Sequence, residues 1–283
     1  MPPFAAQQSL FRAYDIRGAN QYFTSSFIHA LGDAFATLYN AQDSQPTQNI
    51  NANASNASTS VVTKQNVVVI GYDMRIGSEA IAHTLSTVLA HNGLRVIQLG
   101  LITTPMMAFW AAQYQGHGIV VTASHSAKDI LGIKWLMNNK SPSSSEIQTL
   151  YHQLTTSHDR HSYPDGQANN SILCTENIDS SHDSELPSDL LEQLPAYQVA
   201  NVYIDAIAQV FEQLFQHNHS ATADNQKSAY KLDLIVVIDC MHGATGRIAQ
   251  RLFELFCQQV IFLNDTPNGN FPLVIQILPN QTV

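Results

Sequence analysis

Apolar positions along the chain fall into a layered α/β pattern. Phe27, Ile28, Leu31, Phe35, Leu38 and Tyr39 recur at helical spacing, which predicts a helix over Ser25–Asn40. Val67–Gly71 is a short apolar run rich in β-branched residues and reads as a buried parallel strand. Ser78–Asn92 follows as a helix with Ile81, Leu85, Val88 and Leu89 on one face, and Gly93 marks its stop. Arg95–Leu99 is the next strand, and Thr104–Tyr114 is a helix with Pro105 in its first turn. Gly118–Thr122 is a third buried strand and Ile133–Leu136 a fourth. Farther on, an amphipathic helix at Ala206–Phe215 precedes a strand at Leu234–Ile238, a helix at Ile248–Phe256 and a strand at Val260–Leu263. Strands alternating with helices of this length predict α/β/α layers around mixed, mostly parallel sheets. No internal repeat of 20–50 residues is visible.

Polar stretches divide these runs. In Ala41–Ser60, 13 of 20 residues are Asn, Gln, Ser or Thr, too little apolar surface to offset ordering entropy, so a disordered insert is expected. Thr155–Pro187 and His217–Ser228 read the same way. The division that follows is a first domain over residues 1–154 with its insert at 41–60, a linker over 155–189, and a second, incomplete domain over 190–283.

Composition narrows the function. Of the 283 residues, 45% are hydrophobic, which is ample for a core, but only 12% are charged. Mean hydropathy is -0.08. Lys and Arg number 13 against 22 Asp and Glu, a formal net charge of -9. That acidity argues against nucleic acid or an anionic membrane as partner, and an anionic ligand would need a local basic pocket. Cys174, Cys240 and Cys257 show no Cys-x-x-Cys spacing, so neither a disulfide framework nor a zinc site is expected. With no secretory signal and no apolar run near bilayer length, the expected location is the cytoplasm. The sequons at Asn53 and Asn56 are then coincidental. Oligomeric state stays open.

Three clusters carry candidate chemistry. Strand 118–122 runs into Ala123-Ser124-His125-Ser126, and ligands of open α/β sheets bind just beyond strand carboxyl ends. A serine hydroxyl there needs a base or a metal to act as nucleophile; otherwise the stretch is a capped turn. His125 adjoins Ser124, and Lys134 follows Gly132 and Ile133. Phe11-Arg12-Ala13-Tyr14-Asp15-Ile16-Arg17-Gly18 is a dense polar group in a charge-poor chain; Arg17 could clamp a phosphate or form an ordinary Arg–Asp pair. Gly71-Tyr72-Asp73-Met74-Arg75 adds one cation directly after a strand.

Together these stations resemble the phosphohexomutases, the phosphoglucomutase/phosphomannomutase family. Phe11–Gly18 resembles its N-terminal signature, Gly71–Arg75 an arginine-bearing loop, Thr122–His125 the phosphoserine loop and Gly132–Lys134 a Gly-aromatic-Lys segment. Asp239–Gly246 and Asn268–Pro272 resemble two stations of the second domain. The resemblance implies an intramolecular phosphotransferase that interconverts hexose 1- and 6-phosphates through a phosphoserine. Ser124 would carry the phosphate and contact Mg2+, and a hexose 1,6-bisphosphate would serve as activator. His125 would assist proton transfer, Lys134 would be a general base with depressed pKa, and Tyr14, Arg17 and Arg75 would line the phosphate side.

Some residues depart from the pattern. Ser126-Ala127 stands where the family has Asn-Pro, and Met241-His242-Gly243 where it has Gly-Asn-Gly. The chain runs from Pro272 through Leu273–Val283 without an aspartate after Asp265, so the family's metal carboxylates are not expected in it and turnover by this chain alone is expected to be slight. A frameshift is one account of this end: codons for Val274–Thr282 permit a shifted reading of His-Ser-Asp-Pro-Thr-Lys-Pro-Asn, close to the family's continuation. A truncated, inactive mutase and a non-catalytic remnant that binds a phosphosugar or a partner are the two functional readings. A Ser–His hydrolase is disfavoured by the lack of a Gly-x-Ser-x-Gly elbow.

Overall fold

The structure, a computed structural model, describes residues 4–41, 65–157, 189–216 and 231–272. Most of the insert at 41–60, nearly all of Thr155–Pro187, the stretch His217–Ser228, Cys174 and the tail from Leu273 lie outside the described residues.

Six strands form one sheet: β1 (Ile16–Ala19), β2 (Val67–Tyr72), β3 (Arg95–Leu101), β4 (His117–Val121), β5 (Ile130–Leu136) and β6 (Leu191–Gln193), in the order β1-β5-β4-β2-β3-β6. The pairs β4–β2, β2–β3 and β3–β6 are parallel, whereas β5 runs antiparallel to both β4 and β1. A separate parallel pair joins β7 (Leu232–Asp239) and β8 (Cys257–Leu263). The expected α/β fold of mostly parallel strands is thus observed.

Strand alternation sends successive side chains to opposite faces, and both faces are covered. Val68, Ile70, Ile119 and Val121 face a core shared with α1 (Ser25–Asn40), α2 (Ser78–His91) and α4 (Ser144–Ser157). Val69 and Val120 face the other way, against α3 (Thr104–Gln113), α5 (Ala196–Gln216) and Ile248 of α6 (Gly246–Phe256). The first core is aromatic at its centre: Phe35 lies 5.2 Å from Trp135 in an edge-on arrangement and 6.1 Å from Tyr39, stacked.

Several elements differ from the sequence expectation. α4 occupies 144–157, reaching three residues into the expected linker, and its start is a reciprocal cap. The Ser143 amide donates to Glu146 Oε2 at 2.7 Å, and the Glu146 amide donates to Ser143 Oγ at 3.3 Å. α5 begins ten residues earlier than its apolar stripe indicated, directly after Pro195, whose carbonyl accepts from the Gln198 and Val199 amides. β1 and β6 are edge strands of four and three residues, set by pairing rather than by any pattern of their own.

Phe35 is fully buried, so Phe35→Ala should cost about 3–5 kcal/mol of unfolding free energy in urea titration. A loss below about 1 kcal/mol would show that the aromatic centre of this core is not packed as described.

Candidate active site

The parallel strands β2 and β4 lie side by side, so the loops at their carboxyl ends are neighbours. The β2 loop carries Asp73 and Arg75; the β4 loop carries Ser124, His125 and Ser126. The Asp73 amide donates to the Val121 carbonyl at 2.9 Å, fastening one loop to the other.

Arg75 completes that attachment. Its guanidinium donates to the carbonyls of Ser124 (2.8 Å), Ser126 (2.7 Å), Ala127 (2.5 Å) and Ile130 (3.0 Å). Nε lies 3.2 Å from Asp73 Oδ2, and the side chain is only 2% exposed. Burial pushes the guanidinium's pKa down, with Asp73 opposing the shift; at neutral pH it stays charged. Arg75, expected on the phosphate side, therefore turns its donors to the backbone of the serine loop. Asp73 is fixed in turn, because its Oδ1 accepts from the Arg75 amide (3.0 Å) and from Ser78 Oγ at the start of α2 (2.8 Å).

Held this way, the serine loop makes a tight turn. Ser124 has φ 57°, left-handed for a residue with a Cβ. Its amide donates to Thr122 Oγ1 at 3.0 Å, and the Ser126 amide donates to the Ala123 carbonyl at 3.1 Å. The result places an exposed Ser124 hydroxyl 3.3 Å from Nδ1 of an equally exposed His125.

The other cations approach from the β1–β5 edge. Arg17 sits opposite Gly132 in that antiparallel pair, so it shares a face with Lys134, two residues along. Gly132 is required there: a Cβ would come within 2.7 Å of the Thr122 carbonyl oxygen and 3.0 Å of that of Ile16. Arg17 NH1 donates to Ser126 Oγ at 3.1 Å, so the departure at Ser126 is still used to tie the loop to β1. Arg17 NH2 and Lys134 Nζ, the latter at 2.9 Å, both donate to Asp15 Oδ2.

Asp15 enters the sequence reading only as the partner of an ordinary Arg–Asp pair, and its link to Lys134 is not foreseen there. Its side chain is 7% exposed. Burial alone would raise its pKa, but the hydrogen bonds and charges of Lys134 and Arg17 outweigh that and hold it below the usual carboxylate value. Tyr14 projects outward at 82% exposure. The structure thus gathers Ser124, His125, Arg17 and Arg75 around one loop, joins Lys134 through Asp15, and leaves Tyr14 at the rim.

A magnesium ion needs several oxygen ligands. Among the described residues no group of three His, Cys, Asp or Glu side chains is placed to hold a metal, so these residues alone do not fit one. Nor is any described helix long and apolar enough to cross a membrane.

The loop thus presents an exposed serine, braced by a buried arginine, at the carboxyl end of a parallel strand in an α/β fold. Residues 43–161 match the family model described as phosphoglucomutase/phosphomannomutase, alpha/beta/alpha domain I. A protein of Methanosarcina acetivorans named a probable phosphoglucosamine mutase is 30% identical over 214 residues, which cover 74% of this chain and 39% of that protein. The phosphomannomutase/phosphoglucomutase of Pseudomonas syringae pv. tomato is 25% identical over 266 residues, covering 93% and 43% respectively. In fold, the chain is similar to a solved phosphoglucomutase/phosphomannomutase family protein from Burkholderia thailandensis, with a TM-score of 0.63 at 23% identity over 94% of this chain and 46% of that one. By these comparisons the chain is similar to phosphoglucomutase/phosphomannomutase family proteins. It spans 39% and 43% of the length of the two curated relatives.

Because the folded pKa of Asp15 is depressed, its contribution to stability is complete above the unfolded carboxylate value of about 4 and is lost as pH falls through the lower folded value. Asp15→Asn should therefore flatten the acid limb of the stability–pH curve, measured by thermal melts from pH 7 downward. Parallel curves for variant and parent would remove Asp15 from this role.

Proposed function

We propose that this chain carries the phosphoryl-relay site of a hexose-phosphate mutase, with Ser124 as the carrier. The observation that supports this most is the exposed Ser124 hydroxyl on a loop whose carbonyls are held by a buried arginine. Phosphoryl transfer depends chiefly on positioning and on offsetting charge, and a braced loop supplies the first.

In the loading step Ser124 Oγ attacks a phosphorus of a hexose bisphosphate. The Oγ–P bond forms as the P–O bond to the sugar breaks. The Ser124 proton passes to His125 Nδ1, 3.3 Å away, and the departing sugar oxygen takes up a proton. In the return step a hydroxyl of a hexose monophosphate attacks the phosphoserine and gives up its proton to solvent, the Oγ–P bond breaks, and Ser124 Oγ takes back the proton held by His125. A phosphoserine adds close to two negative charges beside Ser126, and Arg17 is already bonded to the Ser126 hydroxyl. Lys134 is one ion pair away through Asp15 and supplies a second cation. Hexose phosphate is the substrate class; no nucleic acid or membrane enters the scheme.

The second reading, phosphosugar binding without transfer, draws on the same ion pairs. Arg17 and Lys134 both already point at Asp15, so a bound phosphate has to compete with that carboxylate.

Incubating the purified chain with glucose 1,6-bisphosphate should place one phosphoryl group on Ser124, read by mass spectrometry of the tryptic peptide. Ser124→Ala should take up none, and His125→Ala should load about 10²- to 10⁴-fold more slowly. Saturable binding of the bisphosphate with no phosphate on Ser124 would favour the binding-only reading and contradict the relay.

A further inference from the structure

Residues 264–271, which follow β8, form a loop ordered by its own hydrogen bonds and by those to the β7–α6 turn. The His242 amide donates to the Asn264 carbonyl and the Asn268 amide to the His242 carbonyl, at 2.9 and 2.8 Å; His242 Nδ1 lies 2.9 Å from the Thr266 carbonyl oxygen. Within the loop, the Phe271 amide donates to the Asn268 carbonyl at 3.0 Å, and the Asn270 amide to Asn268 Oδ1 at 3.0 Å.

This loop rests on the β2 loop of the first sheet. A Cβ on Gly269 would come within 2.3 Å of the Met74 carbonyl oxygen, so backbone meets backbone there. Two residues on, the Phe271 ring lies beneath the Arg75 guanidinium, 5.4 Å from its carbon to the ring centroid. Phe271 holds φ 46°, an unfavourable backbone state for an aromatic residue, which persists only where the surroundings over-determine it. The guanidinium's terminal N–H donors are spent on the serine loop, and its carbon lies over the aromatic ring.

We propose that Phe271 is a positioning residue for the serine loop, acting through Arg75. The ring fixes the plane of the guanidinium, and that plane fixes the carbonyls of Ser124, Ser126 and Ala127. The β7–β8 unit thereby controls the geometry of Ser124 without touching it. The catalytic meaning of this coupling rests on the phosphoserine reading above; the coupling itself is a statement about loop order.

Hydrogen exchange of the full chain tests it. Phe271→Ala should speed exchange in the peptide covering residues 122–130 by roughly three- to tenfold, the change that a partly desolvated cation–π contact supports, while β2 and β4 keep their protection. Phe271→Trp, which keeps an aromatic face, should restore slow exchange. Gly269→Ala, which lifts the loop off Met74, should reproduce the alanine result from a second position. Unchanged loop exchange in Phe271→Ala, or Phe271→Trp behaving like the alanine variant, would overturn the proposal. In the same samples, phosphoryl uptake from glucose 1,6-bisphosphate should slow with Phe271→Ala and recover with Phe271→Trp. If the parent chain takes up no phosphate, the relay reading fails, while the exchange pattern still decides the coupling.

Discussion

A buried guanidinium with nowhere to turn except to backbone carbonyls is the constraint on which this site is built. Arg75 is taken out of water by the loops that surround it, and a buried charge is tolerated only when its donors are met. Four carbonyls between Ser124 and Ile130 meet the donors of its two terminal nitrogens, and Asp73, with Oδ2 3.2 Å from Nε, balances the charge. The serine loop therefore has little freedom: moving any one of those carbonyls would leave a buried N–H unpaired, at a cost of about 1–3 kcal/mol. Left-handed backbone at Ser124 is sustained by this network, which outweighs the local preference of a single residue.

Around that fixed loop the remaining charges are arranged with more give. Arg17 and Lys134 meet on one oxygen of Asp15, beside Ser126. Those pairs are partly open to solvent, and in the proposed relay they would exchange for an incoming phosphate at modest cost. A rigid backbone clamp with adjustable cations is suited to a group that arrives, is transferred and leaves. The β7–β8 unit adds a second support from outside the main sheet, through Phe271 stacked on the same arginine.

Much of this was legible in the chain. Val67–Gly71 and Gly118–Thr122 announce themselves as buried parallel strands because both faces of the sheet are covered and every position is apolar or small. Helix α4 was legible too, in Ser143-x-x-Glu146 and in Ile147, Leu150, Tyr151 and Leu154 at helical spacing, and was passed over beside a polar stretch. β1 was not: Ile16-Arg17-Gly18-Ala19 has no period, and only the partner β5 makes it a strand. In the site, Ser124, His125, Arg17 and Lys134 could be picked out by type and position. The part played by Asp15 could not, because it depends on two strands converging on one carboxylate oxygen. Nor does a sequence tell whether the guanidinium of Arg75 faces solvent or the loop beneath it.

The most direct measurement is the rate at which Ser124 takes up phosphate in Arg75→Lys compared with the parent, with folding of both checked by circular dichroism. An ammonium is a compact charge with three donors and cannot span the carbonyls that the planar guanidinium reaches. Uptake should fall by about 10²-fold in a folded variant, the loss expected when a reacting group is displaced by roughly 1 Å. Uptake within about twofold of the parent, a barrier change under 0.5 kcal/mol, would show that the loop holds its shape without the clamp and would contradict the account.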